Sequence, residues 1–201
     1  MKKKVIAFLL IFLLLSSCSK SHGNKTILSD YTMDSIYSVN EQQFCLGDIV
    51  LPLNATDLAA ILKQNQLAYT VEKDEIVENY EQWKLNTPIK FMDYQASLVF
   101  SIYTAAEPFV VEQIVLLIEA DDLALAFETI TRQATSEFGA DSLTTVGEKT
   151  MYYWIAYSKH GIVKENDELP NQNEIAEKWG NSSSLRIVLN QEAHSVTIIV
   201  H

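Results

Sequence analysis

The sequence has 201 residues, 15 Lys+Arg against 26 Asp+Glu, a net charge of −11, 48% hydrophobic residues and two cysteines. These values exclude a disordered chain and a disulfide scaffold. The acidic balance excludes nucleic acid as a partner, because binding it requires cations that displace phosphate counterions. The charge is unevenly spread: residues 1–17 hold three lysines and no carboxylate, which leaves 12 basic and 26 acidic side chains, net −14, on the rest.

Lys2, Lys3 and Lys4 precede an unbroken apolar run from Val5 to Leu15. A helix of that length rises about 16 Å, roughly half a hydrocarbon core, so it is too short to span and has the form of a signal-peptide h-region. The run closes on Leu15-Ser16-Ser17-Cys18. This segment resembles the lipobox of bacterial lipoproteins: an aliphatic residue, two small residues that let an extended backbone enter a peptidase, then a cysteine whose thiol takes a diacylglycerol. The resemblance covers residues 1–18. It implies a lipoprotein signal peptide over residues 1–17, attachment of lipid at Cys18, and a lipidated flexible tether over residues 18–26. Several acyl chains, palmitate among them, hold a protein stably where one chain binds marginally. Ser19 stands where an Asp commonly retains lipoproteins in the inner membrane, so the resemblance implies the outer membrane, facing the periplasm. With Cys18 acylated, Cys45 has no partner for an internal disulfide, and the core must hold by packing.

A single globular domain is expected over residues 27–201. Ile36 and Val39 read as a first edge strand, and Phe44 to Leu53 as a strand region broken by a turn at Gly47-Asp48. A helix starts near Asn54 or Thr56, with Asp57 in its first turn and Leu58, Ile61 and Leu62 on one stripe. Leu67, Tyr69 and Val71 alternate as a strand. An acidic stretch from Glu72 to Glu81 follows, then an irregular passage through Trp83 and Pro88. Ser97 to Tyr103 and Val110 to Glu119 are strands rich in β-branched and aromatic residues, joined at Ala105 to Pro108. Asp121 caps a second helix whose stripe is Leu123, Phe127, Ile130, Ala134 and Phe138, stopped by Gly139. Thr150 to Tyr157, Leu185 to Asn190 and Ser195 to Val200 are strands. The excursion from Lys159 to Ser184 holds a short helix over Asn173 to Trp179.

This order predicts an α+β fold, an antiparallel sheet with two main helices. One alternative is a single sheet with both helices on one face. The other is a tandem helix-strand-strand-strand arrangement, in halves of about residues 27–119 and 120–201. A doubly wound parallel sheet is disfavoured because too few helices separate the strands.

Linear signatures of chemistry are absent: GxSxG, HExxH, CxxC and a phosphate-binding glycine loop do not occur. His22, His160, His194 and His201 are not spaced as metal ligands, and the stretch Asn166 to Glu174 lacks EF-hand spacing. No catalytic residue, metal or cofactor is expected. Two features are candidates for partner binding. Glu72, Asp74, Glu75 and Glu78 form an acidic strip, whose plain alternative is a solvated face. In Met151 to Tyr157, alternation sends Met151, Tyr153, Ile155 and Tyr157 to one face and Tyr152, Trp154 and Ala156 to the other. If only one face carries helices, Tyr152 and Trp154 form an aromatic patch; otherwise they are core. Trp179 either belongs to a binding loop or closes a core edge.

These features predict a non-enzymatic, lipid-anchored envelope protein, held to the membrane through acylated Cys18, whose domain binds an envelope or secreted protein. An immunity or inhibitor role and an envelope-assembly role both fit that class. The rivals are an envelope hydrolase with spatially assembled carboxylates and a carrier of a small apolar ligand.

Overall fold

The computed structural model describes residues 27, 30–74, 77–140, 142–146, 148–168, 170–171 and 174–201. The chain forms strand β1 (Asp30–Tyr31), a 3-10 turn at Met33–Ile36, then β2 (Tyr37–Ser38), β3 (Gln43–Leu46), β4 (Ile49–Val50) and β5 (Leu53–Asn54). Ile36, expected in an edge strand, closes the 3-10 turn instead. The turn buries Met33 and Ile36, and Val39 is 78% exposed beyond β2.

Helix α1 (Ala55–Gln64) begins after the extended Asn54 and buries Ala55, Leu58, Ile61 and Leu62. It stops where the Asn65 side chain donates to Ile61 O at 2.8 Å and Gln66 turns to φ +56°. Strands β6 (Tyr69–Lys73), β7 (Tyr80–Leu85), β8 (Ile89–Phe91), β9 (Tyr94–Tyr103) and β10 (Val110–Glu119) follow. The passage through Trp83, expected to be irregular, is strand β7. Its sequence Tyr-Glu-Gln-Trp-Lys-Leu hides the alternation because the strand lies near a sheet margin, where both faces stay half-exposed.

Helix α2 (Leu123–Phe138) buries Ala126, Phe127, Ile130, Thr131, Ala134 and Phe138. Its cap is Asp122 rather than Asp121: the Asp122 carboxylate accepts the N–H of Leu125, the third residue of the helix, at 2.9 Å, where a donor lacks an intrahelical partner. The buried Thr131 hydroxyl donates back to Phe127 O at 2.8 Å, so its burial leaves no unmet donor. After α2 come β11 (Ser142–Val146), β12 (Lys149–Tyr157), β13 (Gly161–Ile162), the one-turn helix α3 (Ile175–Lys178), β14 (Ser182–Asn190) and β15 (Ser195–Val200).

The fold is α+β, dominated by one large antiparallel sheet. After α1 the chain meanders through β6, β7, β9 and β10; after α2 it meanders through β11, β12, β14 and β15. The last strands of the two meanders pair antiparallel, from Ile114↔Val200 to Ile118↔Val196, and form the seam of the sheet. At one side β8 pairs with the start of β9, and β1 adds to β8 in the only parallel pairing described.

One face of the sheet is the core face. Leu98, Phe100, Ile102, Ile114, Leu116, Leu185, Ile187, Val196 and Ile198 are buried there beneath α1, α2 and the small β2-β3-β4 sheet. The small sheet is pinned by Phe44 N–H donating to Ser183 Oγ at 2.9 Å. Phe138 joins these layers, its ring 5.4 Å from Phe44, 6.2 Å from Tyr37 and 6.4 Å from Trp154. Each such side chain contributes about 1.5–3 kcal/mol by leaving water, so this face holds the fold. Among the described residues, neither α1 nor α2 packs on the opposite face.

Candidate functional site

The acidic strip lies at a margin of the sheet. Strand β6 pairs with β7 through Tyr69↔Leu85 to Lys73↔Glu81, and among the described residues nothing pairs with its other edge. Glu72 is exposed on β6 and Glu78 on the turn that follows. Asp74 is half-buried: it accepts the Val77 N–H at 2.9 Å and Gln82 Nε2 at 3.1 Å, which ties off the β6–β7 hairpin. Glu75 lies outside the described residues, as does Cys18. Two apolar side chains stand in the open beside these carboxylates, Val71 at 49% and Val77 at 48% exposure. Next to Val71, Tyr69 and Trp83 stack at 4.9 Å and 17° and make a half-buried aromatic ledge. The margin thus combines backbone hydrogen-bonding groups, apolar side chains and carboxylates, the set needed to accept an extended, basic segment as an added strand.

Tyr152 and Trp154 sit on the core face. Trp154 is 2% exposed and donates its indole N–H to Gly139 O at 3.2 Å. Tyr152 packs against Phe127 at 5.6 Å and beside Trp154 at 6.3 Å. Among the described residues α1 and α2 cover one face, and it is the face of this aromatic pair. The side of β12 away from α1 and α2 is the other one, with Met151, Tyr153, Ile155 and Tyr157, of which Tyr157 meets Trp179.

Trp179 is buried and organises the excursion after β12. Its ring stacks on His160 at 3.8 Å and 5° and meets Tyr157 edge-on at 5.2 Å. His160 Nε2 and Asp167 Oδ2 are 3.0 Å apart, and Asp167 also accepts the Lys164 N–H at 2.7 Å. The hydrogen bond from His160, then that from Lys164, holds the Asp167 carboxyl below its ordinary range. Among the described residues, this His–Asp pair makes no hydrogen bond to a Ser, Thr or Cys side chain. Its work is to pin a long connection onto the sheet end. Sequence reasoning missed this trio because its members are spread over twenty positions with no linear motif.

Cys45 is 1% exposed, its Sγ 3.8 Å from Ser35 O. Burial, then the charge of Asp48, pushes its thiol up to about 12, which suppresses the thiolate a nucleophile requires. Tyr80 donates to Glu112, and that bond, ahead of burial, raises its phenol to about 12. A cleft of about 360 Å³ opens where the β12 edge passes between β11 and β13, lined by Tyr153, Trp154, Ile155, Val163, Lys164 and Glu165 among others. Among the described residues no group of three His, Cys, Asp or Glu could hold a metal ion, and no helix is long and apolar enough to cross a membrane.

No protein-family model matches the chain, and no match is found among the curated proteins or the solved structures.

Proposed function

We propose that this is a lipid-anchored cell-envelope protein whose domain binds a basic protein partner and catalyses no reaction. The Leu15-Ser16-Ser17-Cys18 lipobox supports the anchor, with acylated Cys18 in the outer membrane and the domain facing the periplasm. The observation that carries the binding role is the β6 margin and its hairpin turn, where Val71 and Val77 are exposed near Glu72, Asp74 and Glu78 and where, among the described residues, β6 is paired on one side. An acidic margin on a domain of net −16 steers a basic partner at long range, and the apolar side chains hold it after docking. Blocking a basic toxin or hydrolase, as an immunity protein or inhibitor does, fits this surface; so does holding a basic envelope component during assembly. The two helix-plus-meander halves support reading the fold as a tandem arrangement, with the N-terminal strands β1 to β5 added to the first half.

Two experiments test the proposal. Cys18→Ala should abolish incorporation of labelled palmitate and release the protein from membranes; unchanged labelling refutes the anchor. Affinity capture from solubilised envelope should retain a basic protein that elutes with salt, since screening at high ionic strength shortens the reach of exposed charges. Glu72→Lys with Glu78→Lys should lose that protein, and Glu128→Lys on α2 should keep it. Retention by the double variant refutes the margin as the site.

A further inference from the structure

The face of the sheet opposite the helices departs from what an uncovered antiparallel face normally shows. Such a face usually alternates apolar-in and polar-out. Here two central rows of outward positions are mainly apolar, between rows that are polar, and they are aligned across the strands. One row runs Val99, Val115, Ile199, Arg186, Tyr153 through successive pairings, and the next runs Ser97, Leu117, Thr197, Val188, Met151. Leu117 is 37% exposed, and Val115, Val188, Ile199, Met151 and Tyr153 are half-exposed. None of these six belongs to the core cluster or packs against it. The middle of the outward face of β10, Val115 and Leu117 between Gln113 and Glu119, is thus apolar while α1 and α2 cover the other face, and a contiguous patch of this kind marks a contact surface.

Charge selects the occupant. Residues 27–201 carry 26 acidic and 10 basic side chains. Four of the ten cations, Lys84, Lys90, Lys149 and Arg186, lie at outward positions of this sheet, by the same alternation that buries their neighbours. Five carboxylates accompany them: Asp30, Glu72, Asp74, Glu112 and Glu119. The face is therefore near neutral on a strongly acidic domain. A basic partner is drawn instead to the β6 margin, where Glu72 and Asp74 lie at the rim of this face. A second copy of the chain, repelled by acidic surface elsewhere, meets least repulsion at the centre of the face. Mixed signs around an apolar centre also suit an isologous contact, in which one patch faces itself.

We infer that two copies of this protein pack through this face, sheet on sheet, about a two-fold axis running along the β10–β15 seam. Strands of the two sheets then align within about 30° at a spacing of about 10 Å. Leu117 and Ile199 lie beside the axis, with Val188, Met151 and Tyr153 flanking it. This contact is independent of the β6 margin and of the anchor.

Sedimentation equilibrium of the full chain in detergent tests it. The expected mass is twice that of one chain, and Leu117→Arg with Ile199→Arg should reduce it to one chain at the same concentration. Wild-type protein that stays at one chain mass as concentration is raised overturns the inference, and so does a variant that remains a dimer. A second measurement does not depend on how the arginine variant folds. Thr197→Cys places a thiol on the seam, where Cys45 is buried and does not compete. A short bismaleimide should join two such chains in intact membranes, whereas Glu128→Cys on α2 should give no dimer. Cross-linking of Cys-substituted position 197 to a different protein, or to nothing, also overturns the inference.

Discussion

Replacing Phe138 by Ala is the sharpest test of how the layers are held together. Phe138 is 7% exposed at the end of α2 and contacts Phe44 and Tyr37 of the small sheet and Trp154 of β12. Loss of a buried phenyl ring costs its transfer free energy plus the cavity left behind, about 3–5 kcal/mol. Against a total of about 5–15 kcal/mol for a domain, that removes a large share of stability. With a urea m-value of about 2 kcal/mol/M, the midpoint should fall by about 1.5–2.5 M at unchanged m, followed by circular dichroism. Leu125→Ala on the same helix, 57% exposed, should change stability by no more than about 0.5 kcal/mol. Phe44→Ala with Phe138→Ala should cost less than the two singles added, by at least about 0.5 kcal/mol, because their rings meet at 5.4 Å. A Phe138→Ala loss below about 1 kcal/mol, or strict additivity with Phe44→Ala, would refute the view that this cluster joins helix, small sheet and large sheet.

Asp122→Ala should cost about 1 kcal/mol in the same assay by removing the cap on the Leu125 N–H, while Asp121→Ala should cost little. The Asp167 carboxyl titrates lower in the folded chain than in the unfolded one, so its contribution is present above the ordinary carboxylate value of about 3.9 and is lost as pH falls through the lowered value. Hydrogen exchange at the Lys164 amide should show protection disappearing over that acid range, and Asp167→Asn should abolish the pH dependence. Gly180 has φ +83°, and a Cβ there would collide with Ser158 Oγ, so Gly180→Ala should destabilise by more than about 1 kcal/mol and release Trp179 from His160. Unchanged near-ultraviolet dichroism in that variant would contradict the expected release.

Strong periodicity made α2 and β10 legible: the Leu123, Phe127, Ile130, Ala134, Phe138 stripe faces the sheet, and Ile114, Leu116 and Ile118 face the core. Strand β7 was not legible, because at a sheet margin Glu81, Gln82 and Lys84 satisfy water on both faces and leave no apolar period. The alternation in Met151 to Tyr157 correctly separates two faces but contains nothing that assigns the helices to one of them. That choice is made by residues far away, Phe127 and Phe138 on α2, which need Tyr152 and Trp154 as neighbours. The seam pairing of β10 with β15 is equally silent in sequence, since a ladder between distant strands is specified by the whole core. The acidic margin was visible as composition. Its exposed valines and one-sided pairing are properties of the fold.

The position of β15 has a consequence for how the molecule is made. The strand that comes last in sequence order occupies the middle of the sheet, between β10 and β14. Until Ser195–Val200 emerges, the first meander ends in an apolar strand whose seam edge has nothing to pair with, and the second lacks its inner partner. Neither meander can close its inner edge before Ser195–Val200 is available, and a change that removed this strand would cost the sheet its seam.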